Sequence, residues 1–229
     1  KKDEMVLALA KEIEMRKSEF QDEIVETIYF GGGTPSILEI SDLKLLIDSV
    51  YKNYKVVENP EITVEANPDD LTENRIIELS NNKVNRLSIG IQSFFEDDLQ
   101  LMNRAHNVEE AKKCLEIATH YFDNISIDLI YGVPEMSNEK WLQNIETALS
   151  FGVPHISSYA LTVEPKTALH SFIQKGIIPQ PDDEVAQEHF QILVDKLSEN
   201  GFIHYELSNF GKENYFSKNN SSYWLGKKY

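Results

Sequence analysis

Three consecutive glycines, Gly31, Gly32 and Gly33, followed by Thr34 and Pro35, close an apolar run that ends at Phe30. Glycine backbone lets a ligand approach closely and can aim N–H groups at a carboxylate or phosphate. The competing reading is a plain tight turn. The segment lacks the Gly-Lys-Ser/Thr ending of a Walker loop and the spacing of a GxGxxG dinucleotide loop. Glu65 ends the run Glu61-Ile62-Thr63-Val64-Glu65. It could accept hydrogen bonds from ribose hydroxyls, or stand as a solvated loop acid. Gln92 ends the run from Asn85 and could read a ligand's polar groups or satisfy backbone. Asp128 lies between Ile127 and Leu129, and an acid in such a segment needs a partner or a ligand. Arg104 follows Leu101-Met102 and could pair with one of these acids, bind a ligand carboxylate, or lie on the surface. The six histidines show no HxxxH spacing and read as structural or solvated. Cys114 is the single cysteine, so no metal centre is expected from this chain, and its helical setting makes it a small core residue.

Alternating strands and helices must position these groups. Residues 1–20 read as a helix and 23–30 as a strand ending at the glycines. Ser41 is a plausible N-cap for a helix to about Asn53. Strand 61–65 leads through Asn67-Pro68 to a helix capped by Thr72. Strand 85–92 leads to helices over 96–102 and 108–121. Strand 124–131 leads through Gly132-Val133-Pro134 to a helix from about Asn138. Strand 155–161 leads through a long loop to a helix over 182–199, and an extended stretch covers 202–210. This repetition predicts a parallel sheet, open or closed into a barrel.

The strands alternate, unlike those of an open sheet buried on both faces. Leu87, Ile89 and Ile91 oppose Ser88, Gly90 and Gln92; Ile125, Ile127 and Leu129 oppose Ser126 and Asp128. An apolar face under helices and a small, polar opposite face predict an α/β fold, a partial (β/α) TIM-like barrel whose lumen holds a polar ligand. Glu65, Gln92 and Asp128 then fall at or near the C-terminal strand ends, where such barrels place their sites. Residues 1–200 read as this barrel, and 201–229 break the rhythm as the start of a smaller C-terminal region.

The chain has 229 residues, 22 Lys+Arg against 38 Asp+Glu, and a net charge of −16. Such an acid excess repels nucleic-acid phosphates and anionic membrane surfaces, so neither is an expected partner. No apolar run approaches the roughly 18 residues of a membrane span. A single cysteine fits a reducing, cytoplasmic setting.

Five motifs in order, YFGGGTPS, VEANPDDLT, NRLSIGIQSF, LMNRAH and ISIDLIYGVP, resemble the radical S-adenosylmethionine (SAM) proteins of the HemN/HemW type, across about 25–229. HemN proteins are oxygen-independent coproporphyrinogen III oxidases; HemW proteins are haem chaperones. The stretches SSYALTVEPKTALH, YELSNFGK and NNSSYW resemble the HemW branch more closely. The resemblance implies SAM contacts at Gly32, Gly33 and Thr34 (methionine end), Glu65 (ribose region), Gln92, Arg104 and Asp128. It implies a [4Fe–4S] cluster held by a CxxxCxxC-type run, which this chain lacks, so the cluster ligands are expected outside it and the chain alone is expected to be inactive. Asn219 stands where the HNxxYW motif of the HemW branch has histidine. Asparagine cannot ligate haem iron as imidazole does, which leaves Tyr223 and Trp224 as the implied porphyrin contacts. The implied partners are haem or a porphyrinogen and, for a chaperone, haem-accepting proteins. An unrelated barrel binding a phosphorylated metabolite remains the alternative from residues alone.

Overall fold

The computed structural model describes residues 2–20 and 23–228; Lys1, at the start of the expected first helix, and Tyr229, the last residue of the expected C-terminal region, lie outside them. Helix α1 (Lys2–Met15) precedes β1 (Val25–Phe30), α2 (Ile40–Asn53), β2 (Val56–Ala66), α3 (Glu73–Ser80) and β3 (Arg86–Gln92). Then follow α4 (Glu96–Leu101), α5 (Val108–Tyr121), β4 (Asn124–Tyr131), α6 (Asn138–Ser150) and β5 (His155–Ala160). The chain ends with α7 (Ala168–Gln174), α8 (Asp183–Glu199), β6 (Ile203–His204), β7 (Asn209–Gly211) and α9 (Lys218–Trp224).

One seven-stranded sheet runs in the order β1-β2-β3-β4-β5-β7-β6 and curls into a half barrel. The first five strands are parallel, and β7 and β6 add an antiparallel edge. The alternation read from the sequence sorts the two faces. Ile62, Val64, Leu87, Ile89, Ile91, Ile125, Ile127, Leu129 and Ile156 are buried on the outer face. They meet Leu43, Leu46 and Ile47 of α2, Leu115 and Ala118 of α5, Trp141 and Ile145 of α6, and Leu193 and Leu197 of α8. Each such large side chain contributes about 1.5–3 kcal/mol of burial. Cys114 is buried in this layer, as its helical setting suggested.

Helix starts follow local capping chemistry. Thr72 accepts from Arg75 N at 3.3 Å, and Asn107 with Glu110 forms a reciprocal capping box. Five sequence expectations shift. The first helix ends at Met15, and a 3-10 turn over Lys17–Phe20 lets Phe20 meet Tyr54 edge-on with centroids 5.7 Å apart. Helix α2 takes Glu39, not Ser41, as N-cap, because Ile40 already lies in the first turn. Strand β2 starts at Val56; an irregularity opposite Val25–Thr27 absorbs Asn59-Pro60, where proline offers no N–H to the ladder. The long loop after β5 contains α7, capped by the Thr167 hydroxyl. The extended stretch 202–210 is a two-strand turn whose β7 joins the edge of the same sheet at β5.

Candidate functional site

The inner face of the half barrel is polar on every parallel strand. Tyr29, Thr63, Glu65, Arg86, Ser88, Ser126, Asp128, His155 and Ser157 share it by alternation, and Gln92, past a register shift, lies against Gly90 on the same side. At the C-terminal rim, β1 runs into the glycine turn. Gly32 and Gly33 adopt φ of +78° and +72°, which other L-residues reach only with strain. Gly31 is required by crowding: a Cβ there would lie 2.7 Å from the Tyr29 ring and 2.9 Å from Glu65 Oε1. Thr34 ends the turn and precedes a 3-10 turn at Pro35–Ile37; its hydroxyl makes no capping bond there.

Glu65, at the end of β2, draws two of these groups together. Tyr29 Oη donates to its Oε1 at 2.8 Å, and Gly32 N donates to its Oε2 at 3.0 Å. The N–H assigned from sequence to a ligand carboxylate is thus turned onto a protein carboxylate. Tyr29 was not singled out from the sequence. Its position two residues before Gly31, on the inward parity of β1, was the available signal. Burial and the Glu65 carboxylate raise its pKa.

Gln92, Arg104 and Asn67 form a second group around Gly90. Arg104 Nη2 donates to Asn67 Oδ1 at 2.8 Å. A Cβ on Gly90 would lie 2.8 Å from Gln92 Nε2 and 3.3 Å from Arg104 Nη2. Gly90 therefore makes room for both side chains over the lumen. Gln92 is a non-glycine residue at φ +69°, where the β3–β4 register shifts. A strained residue at a bulge beside polar neighbours marks a site rather than a packing position. Asn67 was read from sequence only as a turn residue.

Asp128 lies on β4, half-buried and opposite Ser157 of β5. Partial burial and the nearby Glu65 carboxylate push its pKa up to about 7, against the pull of Arg86, Ser157 and Arg104. Glu65, Gln92, Arg104, Asp128 and the Gly31–Gly33 turn thus converge at one end of the lumen. They offer two carboxylates, an amide, a guanidinium and a glycine turn with open space around Gly32 and Gly33: a polar set for a ligand with a cationic centre, hydroxyls and a carboxylate.

Tyr223 and Trp224 lie on α9, 55% and 65% exposed. Trp224 Nε1 donates to Glu206 Oε2 at 3.0 Å. A groove of about 1090 Å³ along β1 is lined by Tyr29, Gly32 and Glu65 at one end and by Asn219 and Tyr223 at the other. Trp224 lies outside that lining. Asn219 is turned inward: Thr27 Oγ1 donates to its Oδ1 at 3.3 Å, and its backbone N donates to Glu61 Oε1 at 3.1 Å.

Comparison with known proteins decides the family. The chain matches the Radical SAM superfamily over residues 4–148. It belongs to the radical SAM superfamily. It is 37% identical to the heme chaperone HemW of Bacillus subtilis over 99% of its own length and 60% of that protein. It is 36% identical to the mitochondrial radical S-adenosyl methionine domain-containing protein 1 of Mus musculus, over 87% of this chain and 46% of the relative. The chain thus spans about half the length of these curated relatives. The solved HemN coproporphyrinogen III oxidase of Escherichia coli superposes with a TM-score of 0.79 at 23% identity, over 98% of this chain and 51% of that one. That likeness shows the radical SAM partial barrel.

Family membership implies SAM and a [4Fe–4S] cluster. The rim donors fit SAM: Glu65 and Asp128 suit its sulfonium and hydroxyls, and the glycine turn suits its carboxylate. The cluster finds no seat among the described residues. Cys114 is buried in α5, and no three His, Cys, Asp or Glu side chains gather to hold a metal. No described helix is long and apolar enough to cross a membrane.

Proposed function

We infer that this chain is the SAM-binding half barrel of a haem chaperone of the HemW type. Residues 1–200 supply the barrel and 201–229 the opening of a C-terminal region, in a cytoplasmic protein. The observation that carries the reading is the 37% identity to a heme chaperone HemW across 99% of the chain. The five motifs and the rim geometry support it.

In this reading Gly32, Gly33 and Thr34 hold the methionine end of SAM, Glu65 the ribose region, and Gln92, Arg104 and Asp128 the remaining polar groups. Binding requires Gly32 N–H to leave Glu65, because one donor cannot serve both acceptors. SAM, when bound, would supply a reducible sulfonium centre for one-electron chemistry, with the family's [4Fe–4S] cluster as the electron source. The chain's residues bind and orient it and keep the lumen side of the site polar. Haem, the proposed cargo, meets the exposed rings of Tyr223 and Trp224. Iron ligation does not come from Asn219, which lacks a basic ring nitrogen and is bonded to Thr27 and Glu61. Haem-accepting proteins are the proposed partners.

The test uses the full-length, anaerobically reconstituted protein. Haem titration followed by absorbance should give stoichiometric binding, and added apo-haemoprotein should take the haem up. Tyr223→Ala with Trp224→Ala should weaken haem binding by about tenfold, the order expected for two aromatic stacking contacts. Coproporphyrinogen III incubated with SAM and a low-potential reductant should return unchanged by mass spectrometry. Loss of two carboxyl groups with 5′-deoxyadenosine formed would replace this reading with the oxidase.

A further inference from the structure

Trp224, the last residue of α9, is 65% exposed, yet its indole N–H is tied to protein: Nε1 donates to Glu206 Oε2 at 3.0 Å. Trp141 on α6 is the contrast, fully buried with its Nε1 donating to the His189 carbonyl at 2.8 Å. An indole at a surface commonly covers its ring and leaves its N–H to water. Trp224 does the reverse: the polar handle is held by the protein, and ring surface is left to solvent. Glu206 is half-buried on the turn between β6 and β7, and its carboxylate takes three donors. Besides the indole, Ser208 N donates to Oε1 at 3.3 Å, and Asn209 Nδ2 donates to the same oxygen. Asn209 is 4% exposed, and its Oδ1 accepts from Ser157 Oγ of β5 at 2.6 Å. The turn itself is braced. Ser158 N donates to the Ser208 carbonyl at 2.8 Å, and the His204 ring stacks on Phe210 with centroids 4.2 Å apart. The first turn of α9 is pinned separately, with Ser217 N donating to Tyr205 Oη, and Lys218 N and Asn219 N to Glu61.

We propose that Glu206 is a positioning residue for Trp224: its carboxylate holds the indole N–H and so fixes the exposed ring in place for a planar aromatic ligand. This rests on the reading that Trp224 contacts haem. An indole has one donor and no acceptor, whereas an ionised carboxylate has lone pairs for several donors. Ser208 and Asn209 occupy Oε1, which leaves Oε2 to the indole. Behind the bond, contacts run from Glu206 through Asn209 to its register partner Ser157 on the inner face of the sheet. The ring is thus braced against the sheet rather than carried by a seven-residue helix alone. A ring ordered before the ligand arrives spares the entropy of ordering it on binding. The charge of Glu206 works in the other direction. Haem carries two propionates, and a carboxylate nearby repels them, although salt screens that repulsion at a wet surface. Positioning and repulsion therefore differ in sign, and removal of the carboxylate tells them apart.

Haem titration of the full-length protein, read by absorbance, compares wild type, Glu206→Ala, Trp224→Phe and the double variant. Glu206→Ala should bind haem about threefold more weakly, the order for one large side chain left to be ordered on binding. Trp224→Phe keeps a ring and removes the N–H. The double variant should bind no more weakly than Trp224→Phe alone, because Phe gives Glu206 nothing to hold. Losses that multiply, as those of independent sites do, overturn the proposal. Tighter haem binding in Glu206→Ala, the result of repulsion alone, overturns it too. Fluorescence anisotropy supplies a readout without haem. The Trp224 signal is the difference between a protein and its Trp224→Phe counterpart, and it should fall in Glu206→Ala. An unchanged Trp224 anisotropy overturns the proposal. General loss of structure would also shift the emission that Trp224→Phe leaves behind, Trp141 included; positioning leaves that emission as it was. If Glu206→Ala does not fold, hydrogen exchange at the wild-type Trp224 indole N–H decides. Protection supports the bond, and exchange at the rate of free indole overturns it. Trp224→Ala separates the two levels. Unchanged haem affinity there removes the haem reading of the ring, and the anisotropy then judges Glu206 alone. Weakened affinity there with unchanged affinity in Glu206→Ala removes only the role of Glu206.

Discussion

Glu61 and Glu65 lie on the same strand and the same face, four residues apart, and meet different fates. Glu61, 5% exposed at the base of the lumen, accepts two backbone N–H groups at the start of α9. Around it Tyr205 Oη accepts from Ser217 N at 3.1 Å and bonds His155, and Asn219 bonds Thr27. Apart from Arg86 Nε, Thr63 Oγ1 and Asn124 Oδ1, which are buried without a partner, the base is closed by mutual hydrogen bonding. Glu65, at the rim, instead holds a phenol and one N–H of a glycine turn that keeps open space around Gly32 and Gly33. A saturated carboxylate under a docked helix is architecture. A carboxylate held by one phenol and one N–H of an open turn has fewer fixed donors and more room around it. Sequence type does not separate the two acids; the element that covers each one does.

Three substitutions and one control sharpen this contrast. Glu65→Gln should have the largest effect on SAM affinity, a loss of about ten- to a hundredfold, the cost of removing a charged hydrogen-bond acceptor. Thermal stability should change little, because Gln keeps an oxygen for Tyr29. Calorimetry paired with a melting curve reads both. Glu61→Ala should reverse the pattern: SAM affinity unchanged, and stability lower by about 2 kcal/mol from the lost α9 contacts. For a chain of this size that is a melting temperature lower by about 4–8 °C. A fall in SAM affinity larger than the fall in stability would abolish the distinction between rim and base. Gly90→Ala should have the smallest effect, weakening SAM about three- to tenfold, because its Cβ displaces Gln92 and Arg104 at the cost of mild overpacking. The companion Gly152→Ala separates crowding from backbone strain. Gly152 has open space but φ +71°, so it should lose stability and keep SAM affinity.

Much of the site was legible because strand alternation and strand-end position are local properties. The parity of Ser88, Gly90 and Gln92, and of Ser126 and Asp128, placed them on one face before any fold was known. The glycine turn and the cap at Thr72 are similarly short-range. Tyr29 and Asn67 were less visible, because their roles depend on Glu65 and Arg104, which lie 36 and 37 residues away in sequence. Arg86 was hidden for a related reason. An arginine opening a strand is unremarked in sequence, and only the curl of the sheet encloses it.

The sequence by itself determined the βα rhythm, the apolar outer face, the polar inner face and the ordered motifs of the radical SAM superfamily, since each depends on residue type and short spacing. The tertiary structure alone decided which polar groups are already satisfied. Lys218 and Asn219 reach Glu61 across 157 and 158 residues, and Asn219 reaches Thr27 across 192. Those contacts turn Asn219 into a bolt at the base of the barrel, while at the rim Glu65 is held by Tyr29 and the Gly32 N–H. A buried polar group is silent or available according to what the rest of the chain brings within hydrogen-bond distance of it.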